Sequence, residues 1–199
     1  MSRLGLLGGT FDPPHGGHLW LAELARVRLG LDKVLFLPVG DPVHKQGQVI
    51  TAVPHRLQMV SLAIQDNPNF VLDTTDCNRP APHTTVSLLP LLQEKYPGAT
   101  FWLLLGGDSL RDLPGWTEPE RLIDHCRLAV LARPGATIDW VGLQTAVPGI
   151  ETAVDLLNGP TLSLSATAIR AWLKEGYTAT YLLPTAVAHY IQQNQLYRS

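Results

Sequence analysis

Eleven residues near the start of the chain, Gly8-Gly9-Thr10-Phe11-Asp12-Pro13-Pro14-His15-Gly16-Gly17-His18, have the types and spacing that phosphate chemistry uses. Glycine lets a backbone approach a phosphate closely, and a helix that follows turns its free N–H groups toward an anion. His15 and His18 flank Gly16-Gly17, where imidazoles can donate hydrogen bonds to phosphate oxygens. Gly8, Gly9, Thr10, Phe11, His15, Gly17 and His18 are the candidate phosphate and nucleotide contacts. The string is neither GxxxxGK[ST] nor GxGxxG, so P-loop ATPase and hydride-transfer readings lose their main support. Two histidines alone would serve as well on a surface or as half of a metal site. A metal site would want more ligands, and with no HExxH or Cys/His array no residue is assigned to a metal.

The elements around this loop must present it. Leu4 to Leu7, Val34 to Leu37, Phe101 to Leu105 and Leu128 to Leu131 are nearly continuous apolar runs. Such runs suit strands buried on both faces of a parallel sheet. Helical patterns lie between and after them: 18–29, 54–65, 84–95, 165–175 and 184–195. Pro90 is expected to kink or shorten the third. Val27 is counted with the apolar positions of the first. Strands alternating with helices predict an α/β doubly wound parallel sheet with a helical C-terminal subregion, in a single domain over 1–199. The stretch Arg133-Pro134-Gly135 is expected to follow the last sheet strand. In such a sheet ligands bind beyond the carboxyl ends of the strands, where Gly8-Gly9-Thr10 lies.

A second motif stands far away. Leu164-Ser165-Ala166-Thr167-Ala168-Ile169-Arg170 opens a predicted helix with a serine N-cap and Gly176 just past its end. Hydroxyls and backbone N–H groups at such a terminus suit phosphate oxygens, and Arg170 adds a planar cation. Alone, the segment reads as an ordinary capped amphipathic helix with Arg170 on a solvated face.

The composition narrows the partners. The 199 residues carry a net charge of -2, with 45% hydrophobic and 16% charged residues, which excludes a disordered composition. It gives no basic footprint for nucleic acid. No run approaches a membrane span, and the first apolar run is too short for a signal peptide. Cys77 and Cys126 form no CxxC and read as free thiols. A cytoplasmic protein is expected.

The eleven-residue string resembles the HxGH loop of the nucleotidylyltransferase superfamily, and most closely that of the bacterial nicotinate-nucleotide adenylyltransferases. The second motif resembles the superfamily's ISSTxIR motif, with Ala166 in place of its second serine. The resemblance implies a Rossmann-like nucleotidylyltransferase fold that binds ATP through the first-motif residues together with Ser165, Thr167 and Arg170. It also implies a magnesium ion held mainly by ATP phosphates. Phosphopantetheine adenylyltransferase shares both elements, so the acceptor must be read elsewhere.

Four further stretches are similar to the nicotinate-nucleotide family. They are Leu37 to Lys45, Arg56-Leu57-Gln58-Met59, Gly106-Gly107-Asp108-Ser109-Leu110 followed by Trp116, and Tyr181 to Pro184 with Tyr190-Ile191. By that resemblance His44, Lys45, His83, Thr84, Asp108 and Trp116 hold nicotinate mononucleotide. Trp116 would stack on the pyridine ring, and the backbone N–H groups of His83 and Thr84 would face its carboxylate. The family carries a tyrosine where His83 stands. His15, His18, Lys45 and Arg170 are the catalytic candidates, offsetting charge on the α-phosphate and the leaving pyrophosphate. Nicotinamide mononucleotide or phosphopantetheine as acceptor, or a nucleotide-binding regulator that has lost catalysis, remain the alternatives. A homo-oligomer is compatible with the resemblance.

Overall fold

A computed structural model describes residues 1–40, 50–132, 135 and 137–198. His44 and Lys45 lie outside the described residues. The chain runs β1 (Arg3–Gly9), α1 (Gly16–Leu29), β2 (Lys33–Pro38), α2 (Val53–Ile64), β3 (Phe70–Leu72), α3 (Thr75–Asn78) and α4 (Thr85–Lys95). It continues with β4 (Thr100–Gly106), α5 (Gly107–Asp112), α6 (Pro119–His125), β5 (Arg127–Leu131), α7 (Trp140–Ala146), α8 (Ile150–Ala153) and β6 (Val154–Leu157). Helices α9 (Ala166–Lys174) and α10 (Thr185–Gln193) complete it. The strands form one parallel sheet in the order β3-β2-β1-β4-β5-β6. The order reverses between β1 and β4, so the crevice of this doubly wound sheet opens beyond Gly9 and Gly106.

Side chains on successive strand residues point to opposite faces. Leu4, Leu6, Leu35, Leu37, Phe101, Leu103 and Leu105 therefore build the core on one face. Leu7, Val34, Phe36, Trp102 and Leu104 build the core on the other. A third cluster joins Met59 of α2 to Ile169, Leu183, Val187 and Ile191, which docks the C-terminal helices. Tyr190 adds a polar tie, its hydroxyl 2.8 Å from His55 Nδ1.

Some expectations are corrected. Pro90 sits inside α4 without shortening it. Its ring is exposed, and burial of Val86, Leu88, Leu89 and Leu92 outweighs the one lost backbone bond. The last sheet strand is β6, beyond the Arg133-Pro134-Gly135 stretch, and β3 was also not anticipated. β3 is only the three residues Phe70-Val71-Leu72, and β6 is interrupted by Asp155 and carries an exposed Leu156, so neither shows a long apolar run. Val27 is 61% exposed, and α1 buries Ala22, Leu24 and Ala25 instead.

The loops at the carboxyl edge are tied together by Arg56, which is 1% exposed. Its Nε donates to the Thr51 carbonyl at 2.9 Å, and Nη1 to the carbonyls of Thr10 at 2.9 Å and Val39 at 2.7 Å. Nη2 donates to the Gly40 carbonyl at 2.8 Å. One guanidinium thus joins the loop after β1, the loop after β2 and the entry to α2. An ammonium cannot reproduce this fork. Arg56→Lys should leave about two of these buried carbonyls unpaired and lower the unfolding free energy by about 3 kcal/mol, read from urea denaturation. A loss below about 1 kcal/mol would show that the fork is not what holds these loops.

Candidate active site

The first motif leaves β1 and turns sharply at Phe11, whose φ of 51° lies in the left-handed region. That conformation is costly for a bulky residue and needs surrounding contacts to hold it. The ring supplies them: it is 1% exposed, tilts against Phe36 at 5.8 Å and meets the His18 ring edge-on at 5.0 Å. Phe11 is therefore a wedge under the loop.

His15 is the N-cap of α1, which begins at Gly16 rather than His18. The His15 backbone N–H donates to His18 Nδ1 at 3.2 Å. That nitrogen must then carry a lone pair, so neutral His18 keeps its proton on Nε2. The two rings stack, with centroids 3.8 Å apart. His15 is 5% exposed, its Nδ1 is buried without a partner, and burial lowers its pKa to about 4. In the ligand-free chain it is neutral, because a charge there would be stripped of water with nothing to replace it.

The second motif forms as expected. Ser165 caps α9, its Oγ accepting from Ala168 N–H at 3.2 Å, and Gly176 follows the helix at φ +85°. Arg170 does not lie on a solvated face. Its Nη1 donates to the Asp12 carbonyl at 2.8 Å, joining the two motifs across 158 residues of sequence. Nη2 lies 3.4 Å from Thr167 Oγ1. A Cβ on Gly17 would sit 3.6 Å from Leu164, so the start of α9 lies against the start of α1. The N-terminal ends of two helices and Arg170 converge where an anion would be stabilised.

Next to this convergence is a cavity of about 250 Å³. Gly8, Gly9 and Thr10 line it from the β1 end, His83 and Thr84 from the entry to α4, and Trp116 from the segment after α5. Thr84 is the α4 N-cap, and Thr85 and Val86 of the first turn also reach the cavity. Their N–H groups have no partner inside the helix, so this wall favours a negative group. Trp116 is half-buried and packs against the core.

The wall is held by residues that the sequence reading did not single out. Asp76, 7% exposed, accepts from Arg79 Nε at 2.7 Å and faces His83 Nδ1 at 3.4 Å. Arg79 also donates to the carbonyls of Pro82 at 2.9 Å and Thr84 at 3.0 Å. The His83 ring lies so near Gly40 that a Cβ there would approach it to 2.6 Å, which keeps position 40 to glycine. The one sequence signal for this brace is the i,i+3 pairing of Asp76 with Arg79.

Asp108 stands at the end of β4 but is exposed and pairs with Arg111 at 3.1 Å. It lines a separate hollow with Thr137 and Gly142, apart from His83, Thr84 and Trp116. The structure thus brings together His15, His18, Ser165, Thr167 and Arg170 in one place and His83, Thr84 and Trp116 in the adjoining cavity.

With the geometry established, likeness to known proteins can be set beside it. Residues 6–172 match the cytidylyltransferase-like family. A Thermomicrobium roseum protein named a probable nicotinate-nucleotide adenylyltransferase is 45% identical over 199 residues, covering 100% of this chain and 93% of its own length. A Herpetosiphon aurantiacus protein of the same name is 41% identical, covering 99% of each. The solved structure of Plasmodium falciparum nicotinic acid mononucleotide adenylyltransferase complexed with NaAD superimposes with a TM-score of 0.79 at 22% identity, over 99% of this chain and 98% of that one. That likeness speaks for the fold.

Burial of neutral His15 makes a prediction with a definite sign. Unfolded, the ring takes a proton below about pH 6.5. Folded, it resists until about 4. Stability from this residue is complete above pH 6.5 and is lost as pH falls through that window. Between pH 7 and 5 the parent should lose about 2 kcal/mol more unfolding free energy than a His15→Gln variant. Equal slopes in denaturant titrations at the two pH values would mean that His15 is not held neutral.

Proposed function

The chain belongs to the nicotinate-nucleotide adenylyltransferase family of cytidylyltransferase-like proteins, and from that premise we infer its reaction. It transfers the adenylyl group of ATP to nicotinate mononucleotide, giving nicotinate adenine dinucleotide and pyrophosphate, a step of NAD biosynthesis. The observation that carries this reading is the bond from Arg170 to the Asp12 carbonyl. It sets both phosphate-binding helix ends against a cavity whose far wall is another helix N-terminus.

The acceptor's phosphate oxygen attacks the α-phosphorus of ATP in line. The new bond joins that oxygen to the α-phosphorus as the α–β bridge bond breaks, and its electrons leave with pyrophosphate. Such a transfer is served mainly by positioning and charge stabilisation. His18 offers Nε2–H to the α-phosphate, an assignment supported by the bond that occupies Nδ1. Arg170, with the first-turn N–H groups of α9 and the Ser165 and Thr167 hydroxyls, offsets the departing charge. Gly8, Gly9, Thr10 and Gly17 let the nucleotide lie against backbone. His15, neutral, acts as a polar donor rather than a cation. By the family resemblance His44 and Lys45 hold the acceptor, and Lys45 also offsets charge on the phosphates.

In the cavity Trp116 stacks on the pyridine ring, and the backbone at His83 and Thr84, where α4 begins, faces the carboxylate. A carboxylate only accepts hydrogen bonds, whereas an amide would turn donors toward donors. Asp76 does not oppose the carboxylate strongly, because Arg79 holds its charge. Asp108, in the separate hollow, keeps only the acceptor role that the family resemblance implies.

Among the described residues no group of three or more His, Cys, Asp or Glu side chains is placed to hold a metal ion. A magnesium ion bound mainly through ATP phosphates and water would offset charge on the leaving pyrophosphate. Cys77 and Cys126 are free thiols, which suits a reducing cytoplasm. Among the described residues no helix is long and apolar enough to cross a membrane.

An acceptor panel with ATP and magnesium, scored by pyrophosphate release, tests the reading. Nicotinate mononucleotide should exceed nicotinamide mononucleotide in kcat/KM by roughly ten- to a hundredfold, the cost of unpaired polar groups. Phosphopantetheine should give no product. His18→Ala should lower kcat by on the order of a hundred- to a thousandfold with the fold intact. Turnover within a few fold of the parent in that variant, or a preference for the amide, would sink the assignment.

A further inference from the structure

The segment after α10 reaches the site's foundations through Tyr197. Tyr197 donates its hydroxyl to Asp12 Oδ1 at 2.6 Å, and its ring packs against the cluster built on Met59 and Ile191. The backbone bends back to reach this point, with Gln195 at φ 53° and Tyr197 at φ 63°. Two side-chain-bearing residues in the left-handed region are costly, so the contact they secure must hold them there. Asp12 is 3% exposed, and a carboxylate so buried needs its hydrogen bonds. Its other oxygen accepts the Thr51 N–H at 3.4 Å. Burial and the neighbouring Asp12 push the Tyr197 phenol well above its ordinary pKa, so it remains a donor at any physiological pH.

Asp12 is also the residue whose carbonyl holds Arg170, and it stands three residues before His15. The path from Tyr197 therefore runs through one residue to the cation of the second motif and to the imidazole pair of the first. We propose that Tyr197 is a positioning residue for adenylyl transfer, latching the C-terminal tail onto Asp12 so that Arg170 and the His15–His18 pair are held in register. The tail closes the nucleotide half of the site from behind. The acceptor half is held separately by Arg79 and Asp76, so the latch acts on ATP geometry and not on acceptor affinity. This inference rests on the function proposed above.

The test is Tyr197→Phe in the full-length chain, assayed well below its separately measured unfolding midpoint. A displacement of under an ångström at the phosphates is expected to lower kcat by about tenfold, leaving the KM for nicotinate mononucleotide unchanged. The loss should also be non-additive with Arg170→Lys, because both variants loosen the same residue, Tyr197 through the Asp12 carboxylate and Arg170 through its carbonyl. Parental kcat in Tyr197→Phe, whatever its unfolding midpoint, would overturn the latch. So would a matching rise in acceptor KM, or losses that multiply independently with Arg170→Lys. Asp12→Asn weakens the same contact from its other side and should show the same split between kcat and acceptor KM. Parental kcat in that variant would equally overturn the proposal. If the parent chain itself releases no pyrophosphate with any acceptor, the proposed function fails. If the parent is active and the variants match it, only the latch fails.

Discussion

A guanidinium bonded to four backbone carbonyls sets the frame of the ligand-binding edge. Arg56 reaches Thr10, Val39, Gly40 and Thr51, and burial lowers its pKa while the nearby Asp12 opposes that shift. Burying a charge this far from water is tolerable only because each carbonyl dipole returns part of the lost hydration. The arrangement converts one side chain into a joint among three loops that share no secondary structure. The two ends of the segment 41–49 are both flanked by its acceptors, so the described chain on either side of Lys45 is fixed relative to the phosphate loop.

Beside this joint, Asp12 gathers a second set of ties. Its carboxylate takes Tyr197 and Thr51, and its carbonyl takes Arg170. The residues that would meet phosphate are thus placed by backbone groups and buried polar atoms rather than by their own flexible ends. That is how a site can present donors without reorganising when charge develops. The electrostatics are set by helix termini and Arg170, with His15 kept neutral by burial. The stacked imidazoles place one neutral ring against the other, so His18 is oriented without a competing positive charge beside it.

The cavity lined by His83, Thr84 and Trp116 follows the same logic with different parts. Arg79 neutralises Asp76 and at the same time pulls in the carbonyls of Pro82 and Thr84. Thr84, Thr85 and Val86 at the start of α4 line the cavity. A histidine at position 83 fits because Gly40 offers no side chain and Asp76 accepts from its ring. The departure from the family's tyrosine therefore leaves the wall intact.

Much of this was legible in the residues. The apolar runs marked four strands because strands buried on both faces have no polar register to keep. The glycines and histidines of the first motif suited phosphate by chemical type, and the capped Ser165 helix gained that reading only through the family resemblance. Short strands escaped, since three apolar residues in β3, or four interrupted by Asp155 in β6, carry no period. What no periodicity could reveal were the long-range bonds: Arg56 to Thr10, Arg170 to Asp12, and Tyr197 to Asp12. Each joins residues distant in sequence, and each was invisible because an arginine or tyrosine looks the same whether solvated or buried. The sequence alone offered donor types and helix starts suited to phosphate, because these are local properties, and its resemblance to a known family implied the reaction. Only the tertiary structure decided His15's charge state, Arg170's partner and the brace behind the cavity, because burial and contact depend on which distant segments the sheet brings together.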